Sequence, residues 1–187
     1  MEFKKEISKC CTNWTDQFLN KRNCLNLRFH QVLITQKTSD LIEESNSSFL
    51  WGCKCRSGKT FMIGGIILKQ LKVKQKLNVL IITPAPTETI PQFTNDLLYK
   101  FKDFDVFSIH NVENSKSVNR LNISNDNNIF IMSKQLLQKY IDDNVISVIK
   151  NLKLDIIAFD ENHFQVQRNY LNLFYDHIVQ KIQLRYI

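Results

Sequence analysis

Two short stretches carry the residue types needed to handle phosphate. The first is Cys53-Lys54-Cys55-Arg56-Ser57-Gly58-Lys59-Thr60. It follows the apolar run Ser48 to Trp51, ends in Gly-Lys-Thr, and opens a helix-like run from Thr60 to about Val73. A strand, a loop with this ending and a helix together make the context of a phosphate-binding loop. A triphosphate is densely charged and needs donors with no bulky side chain in the way. Backbone N–H groups of the loop and the helix N-terminus supply them. Gly58 lets the backbone come close. Lys59 reaches the β and γ phosphates, and the Thr60 hydroxyl completes a magnesium shell. The second stretch runs Leu154-Asp155-Ile156-Ile157-Ala158-Phe159-Asp160-Glu161, an apolar strand ending in two carboxylates. A carboxylate at a strand tip can hold magnesium through water, and the next can orient and deprotonate an attacking water. Asp160 is assigned to the metal and Glu161 to the base. The pair of motifs predicts ATP and Mg2+ as cofactors, with residues 53 to 60 around the nucleotide.

One slot departs from the strict loop pattern. Cys53 stands where the pattern places its first glycine, and Gly52 lies one position too early. Cysteine is small, so the loop is expected to tolerate it. The chain has 4 glycines, all between Gly52 and Gly65. Gly64 and Gly65 weaken an ordinary helix; here they are expected to let it pack closely on the sheet or its neighbours.

The elements that must position these residues follow from periodicity. A helix is expected from Leu27 through Ile34 and Leu41. Buried strands are predicted at Ser48–Trp51, Asn78–Thr83, Asp105–His110, Asn128–Met132 and Leu154–Phe159. Pro91 suits the first turn of a helix running to about Phe101. Asn111 to Asn128 reads as a long loop, and Lys134 to Leu152 as a helix broken near Asp142 and Asp143. Tyr170, Phe174, Ile178 and Ile182 recur every four residues, as in a final amphipathic helix, and Gln183 to Ile187 reads as the stub of a further strand. Strands that alternate with helices and lack a polar face predict an α/β fold: a mainly parallel sheet covered on both sides. Residues 1–26 read as a polar N-terminal extension and 27–187 as the domain.

The composition is 43% hydrophobic, enough for a core. The formal charge of +7 fits a polyanionic partner such as nucleic acid, and equally a lysine-rich solvated surface. The 5 cysteines include no pair at zinc-knuckle spacing, which favours free thiols in a reducing compartment. No signal peptide is apparent, and the longest apolar run, Phe61 to Leu68, is too short to span a bilayer. A soluble intracellular protein with no membrane partner is expected. Abundant Asn, Ile, Lys and Phe point to an AT-rich coding sequence.

Asp160-Glu161-Asn162-His163 looks like a variant of the Asp-Glu-x-His box of superfamily 2 helicases. Three further segments resemble that family. Leu27-Arg28-Phe29-His30-Gln31 is similar to the segment carrying an adenine-reading glutamine, with Gln31 at the matching position. Thr83-Pro84-Ala85-Pro86-Thr87 and Ile131-Met132-Ser133-Lys134-Gln135 resemble segments that touch the nucleic-acid backbone. The resemblance covers about Leu27 to His163. It implies a first RecA-like ATP-binding domain, DNA or RNA contacts at Thr83, Pro84, Ser133 and Lys134, and a coupling role for His163. The run from Trp51 to Thr60 looks most like helicase-type ATPases of large DNA viruses, which suits the coding bias and implies a virion or host cytoplasm. Such motors need a second RecA-like domain, in cis or in trans, to supply arginine fingers. About 24 residues follow His163, so the resemblance implies a domain fragment, a truncated frame or one part of a split system, with little turnover alone. Two alternatives stand beside it. One is a non-catalytic remnant that binds nucleotide or nucleic acid. The other is a different P-loop enzyme such as a nucleotide kinase, which should show an arginine-rich lid where only Arg168 and Arg185 occur.

Overall fold

Continuous apolar runs need a sheet covered on both faces, and the computed structural model has one. It describes residues 22–54, 56–84, 86–112, 127–143, 149, 152–160 and 182–186. The elements are α1 (Phe29–Glu43), β1 (Ser48–Trp51), α2 (Lys59–Val73), β2 (Asn78–Thr83), α3 (Pro86–Pro91), β3 (Phe107–Val112), β4 (Asn127–Ser133), α4 (Lys134–Asp142), β5 (Ile156–Phe159) and β6 (Ile182–Tyr186). The six described strands form one sheet in the order β1-β6-β5-β2-β4-β3, and every pairing is parallel. The α/β fold expected from the sequence is the one observed.

Side-chain alternation divides the core in two. Val79, Ile81, Ile129, Ile131, Ile156 and Ala158 face α2 and its neighbours. Leu80, Ile82, Phe130, Met132 and Ile157 face the other way, against Leu136, Leu137 and Tyr140 of α4. All six residues of β2 are buried. Buried Val, Leu and Ile side chains contribute roughly 1.5–3 kcal/mol each, so β2 anchors both layers. Burial also raises the Tyr140 hydroxyl pKa above its usual value.

The glycine pair of α2 behaves as its sequence suggests. A Cβ on Gly64 would lie 2.8 Å from Leu97 and 3.1 Å from Phe104, and one on Gly65 would lie 2.7 Å from Leu27 and 3.0 Å from Thr35. The helix is thus pressed against α1 on one side and the segment after α3 on the other. A bond from Trp51 Nε1 to Thr38 Oγ1 (3.1 Å) ties α1 to β1. The end of α1 is a Schellman turn: Asn46 N bonds Leu41 O and Ser45 N bonds Ile42 O, both at 2.9 Å. Ser45, at φ 70°, takes the left-handed position that usually belongs to glycine.

Element limits shift by a residue or two in several places, and four departures bear on the fold. Residues 22–26, assigned to the extension, are bonded to the domain: Arg22 reaches Asp105 (2.5 Å) and Phe101 O (2.9 Å), and Leu25 N reaches the Asp103 carboxylate (2.6 Å). That use of Asp103 and Asp105 in a turn delays the third strand, which begins at Phe107 and not at Asp105. Pro91 does not open its helix. Pro86 does, and Pro91, lacking an N–H, interrupts the α-helical ladder. The chain continues in π-helical winding over Gln92–Leu98, where Tyr99 N bonds Thr94 O five residues back. Ile182, expected on the last helix, belongs to β6, so the strand expected from Gln183 begins one residue earlier. The rest of that helix, the loop after Val112 and the break after Asp143 fall largely on residues outside those described.

Candidate nucleotide site

Parallel strands put all their carboxyl ends on one edge, and the phosphate loop leaves β1 there. Its backbone is not ordinary. Ser57 N bonds Lys54 O at 3.2 Å, closing a turn, and Arg56 holds φ 62°. Gly58 caps α2 with φ 80°. Left-handed residues in such a loop turn successive amides inward into an anion-binding concavity. The helix dipole adds partial positive charge at its head, where Lys59 and Thr60 begin α2. Ser57 Oγ is buried with no hydrogen-bond partner among the described residues. Such an orphan costs about 1–3 kcal/mol unless a ligand or water satisfies it. Cys53 packs half-buried against the core, and a Cβ at Gly52 would meet nothing within 4 Å. Neither position is one where the backbone or its neighbours demand glycine. Lys54 and Arg56 are exposed, and Cys55 lies outside the described residues.

Gln31 is 4% exposed and clamps this loop. Its amide nitrogen donates to Ser57 O (3.1 Å) and Gly58 O (3.4 Å), and its Oε1 accepts from Arg28 N (2.9 Å). His30 Nε2 donates to the same Ser57 O at 3.0 Å. The glutamine is therefore turned onto the loop backbone, and its amide hydrogens are both engaged there. Beside it opens a cleft of about 270 Å³ lined by Arg28, Gln31, Arg56, Phe61, Lys100 and Phe101. Phe61 and Phe101 meet edge to face with ring centroids 6.2 Å apart. His30, Phe61, Lys100 and Phe101 were not foreseen. Phe61, next to Gly-Lys-Thr, carried a positional signal; Lys100 and Phe101 carried none, because only the fold brings them alongside α2.

The acidic strand ends nearby. β6 lies between β1 and β5, so the Asp160 backbone stands two strand spacings from β1, about 10 Å. Asp160 N bonds Ile82 O at 2.8 Å, which extends the β2–β5 ladder by one residue. Among the described residues no group of three His, Cys, Asp or Glu could hold a metal by itself. Magnesium beside phosphates needs none, since it takes one or two protein oxygens plus phosphates and waters. A donor set of the Thr60 hydroxyl, the Asp160 carboxylate and a loop with an orphaned hydroxyl fits MgATP. Glu161 and His163 lie outside the described residues.

Of the four positions expected to touch nucleic acid, three are half-buried at the same edge: Pro84, Ser133 and Lys134. Ser133 Oγ accepts from Leu136 N at 3.1 Å and so starts α4. Thr83 is different. It is fully buried, and its hydroxyl has no partner among the described residues. A side chain sealed between two layers cannot meet a nucleic-acid backbone, which corrects that expectation for Thr83.

Residues 24–187 match the family model described as Type III restriction enzyme, res subunit. The chain belongs to that family. Res-subunit domains are superfamily 2 helicase-like and generally use ATP with Mg2+, so this chain is an ATPase/helicase-type ATP-binding domain. It is also similar to the solved structure of a nuclease-deletion mutant of the Type ISP restriction-modification enzyme LlaGI in complex with a DNA substrate mimic. The TM-score is 0.57 at 16% identity, over 86% of this chain and 17% of that one. At that identity the likeness shows the fold alone. No curated protein matches the chain. Among the described residues of this res-subunit domain, no helix is long and apolar enough to cross a membrane.

Proposed function

We propose that this res-subunit domain binds MgATP as the first RecA-like half of a nucleic-acid-dependent motor, and that it hydrolyses ATP efficiently only when a second RecA-like domain closes on it. The observation that carries this is the seating of β6 between β1 and β5, which sets the glycine-capped loop and Asp160 about 10 Å apart on one edge. Lys59 neutralises the β and γ phosphates. Loop amides from Cys53 to Thr60 orient them, with Cys55 in the same series. Thr60 and Asp160 hold the magnesium, which when bound offsets charge on the phosphate oxygens. Glu161 positions and deprotonates the water, and His163 couples the site to the partner domain, completing an Asp-Glu-x-His box. Gln31 reports base occupancy to the loop it clamps. Pro84, Ser133 and Lys134, at the ends of β2 and β4, face DNA or RNA. The DNA substrate mimic held by the LlaGI mutant favours DNA. The coding bias and the Trp51–Thr60 run support a viral source.

The test is titration calorimetry with MgATP on the chain and on Lys59→Ala. Micromolar binding that the substitution abolishes is the expected result. A folded chain that binds no MgATP refutes the proposal and leaves the non-catalytic remnant as the better reading. Supplying the partner domain should then raise hydrolysis steeply, because an arginine finger contributes about 10³–10⁵-fold.

A further inference from the structure

Thr83 sits at a place where a hydroxyl has no evident purpose. It ends β2, is 0% exposed, and its Oγ1 is buried with no partner among the described residues. Buried polar side chains nearly always find a partner, so an orphan at a functional edge asks for one that arrives later. The register says what stands beside it. Ile82 pairs with Phe159, and Asp160 N continues the ladder onto Ile82 O. Asp160 is therefore level with Thr83 on the adjacent strand, about 4.8 Å away across the sheet. Alternation fixes the side. Val79 and Ile81 face the α2 layer, as do Ile156 and Ala158. Thr83 and Asp160 continue those two rows, so both point to the face where α2 and its phosphate loop lie.

We infer that Thr83 is a positioning residue for the magnesium-holding carboxylate. When metal and nucleotide are bound, its hydroxyl donates to the Asp160 oxygen turned away from the metal, fixing the rotamer in which the other oxygen faces the metal-bound water. Thr83 is one strand further from β1 than Asp160, so it acts through the carboxylate and not on the metal. This rests on the MgATP reading above. It also replaces the nucleic-acid contact that the sequence suggested for the same side chain.

The experiment measures ATP affinity of the chain with magnesium and in excess chelator, for the native sequence, Thr83→Val, Thr83→Ala and Thr83→Ser, with thermal unfolding of each. Outer partners of metal ligands typically matter by about 10–100-fold. Thr83→Val and Thr83→Ala should lose affinity for ATP in magnesium by that factor and raise the magnesium concentration giving half-maximal binding. Their affinity in chelator should stay the same, and Thr83→Ser should restore the native behaviour. Thr83→Val deletes a buried orphan at nearly constant shape, so its unfolding temperature should match or exceed the native one; a merely structural residue would instead lose stability and both affinities together. Native magnesium dependence in both Val and Ala overturns the inference, as does a loss confined to nucleic-acid binding. If the native chain takes up no MgATP, the underlying reading falls and this one with it.

Discussion

Replacing Gly58 with alanine probes the contact that joins the glutamine segment to the phosphate loop. Two costs arise. A non-glycine residue held at φ 80° is destabilised by about 1–2 kcal/mol. The new Cβ would also overlap the Gln31 amide nitrogen. The amide must move, which breaks its bonds to Ser57 O and Gly58 O. Each is worth about 0.5–1.5 kcal/mol net, so the whole substitution should cost about 2–5 kcal/mol. That is a large part of the roughly 5–15 kcal/mol available to a domain. The two costs separate in a double-mutant cycle. With Gln31→Ala already in place no amide is there to displace, and Gly58→Ala should cost only its backbone share of about 1–2 kcal/mol. Urea unfolding followed by far-ultraviolet circular dichroism gives the four free energies. Costs that agree within about 0.5 kcal/mol in the two backgrounds would show independent sites, and the clamp would have no energetic reality.

Two further outcomes follow from the geometry. Ser45→Gly should stabilise the domain by about 1 kcal/mol, because a Schellman turn already forms there around a left-handed serine; a lower midpoint in urea would contradict that account of the α1 terminus. Lys134→Ala should weaken DNA binding evenly across sequences and reduce the salt slope of the binding constant by about one, read from affinity at several salt concentrations, and an unchanged slope would remove Lys134 from the phosphate contacts.

The strands were legible because a sheet covered on both faces leaves no polar side, and Asn78–Thr83 was read with its observed limits. Strand order was not. Nothing in the run near Gln183 says that it enters between β1 and β5, since that choice depends on which edges the helices leave open. Pro91 misled because a proline can start a helix or disturb one, and Pro86, five residues earlier, was the better starter. The start of β3 was misplaced because Asp103 and Asp105 answer to Arg22 and Leu25, some eighty residues away in sequence. The loop residues were readable as a motif, whereas the orientation of Gln31 was not, because it depends on the packing of α1 across Gly65. Thr83 followed a family segment into the wrong environment: at the end of an apolar strand a threonine looks alike whether the next layer covers it or not.

The seating of β6 also dictates an order of assembly. β1 leaves the ribosome early, yet its sheet neighbour β6 is the last of the described strands to be made. At roughly 5–20 residues per second the wait is on the order of ten seconds. In that interval β5, β2, β4 and β3 can associate, but β5 and β1 each keep an open edge, and open edges recruit other chains. The seam between β1 and β5, beside the candidate nucleotide site, is therefore the last part of the described sheet to close. Until residues 182–186 arrive, the phosphate loop and the acidic strand are related only through the packing of α2 on the sheet. The described sheet should therefore complete only after those residues emerge, and the open edges of β1 and β5 are exposed to mispairing until then.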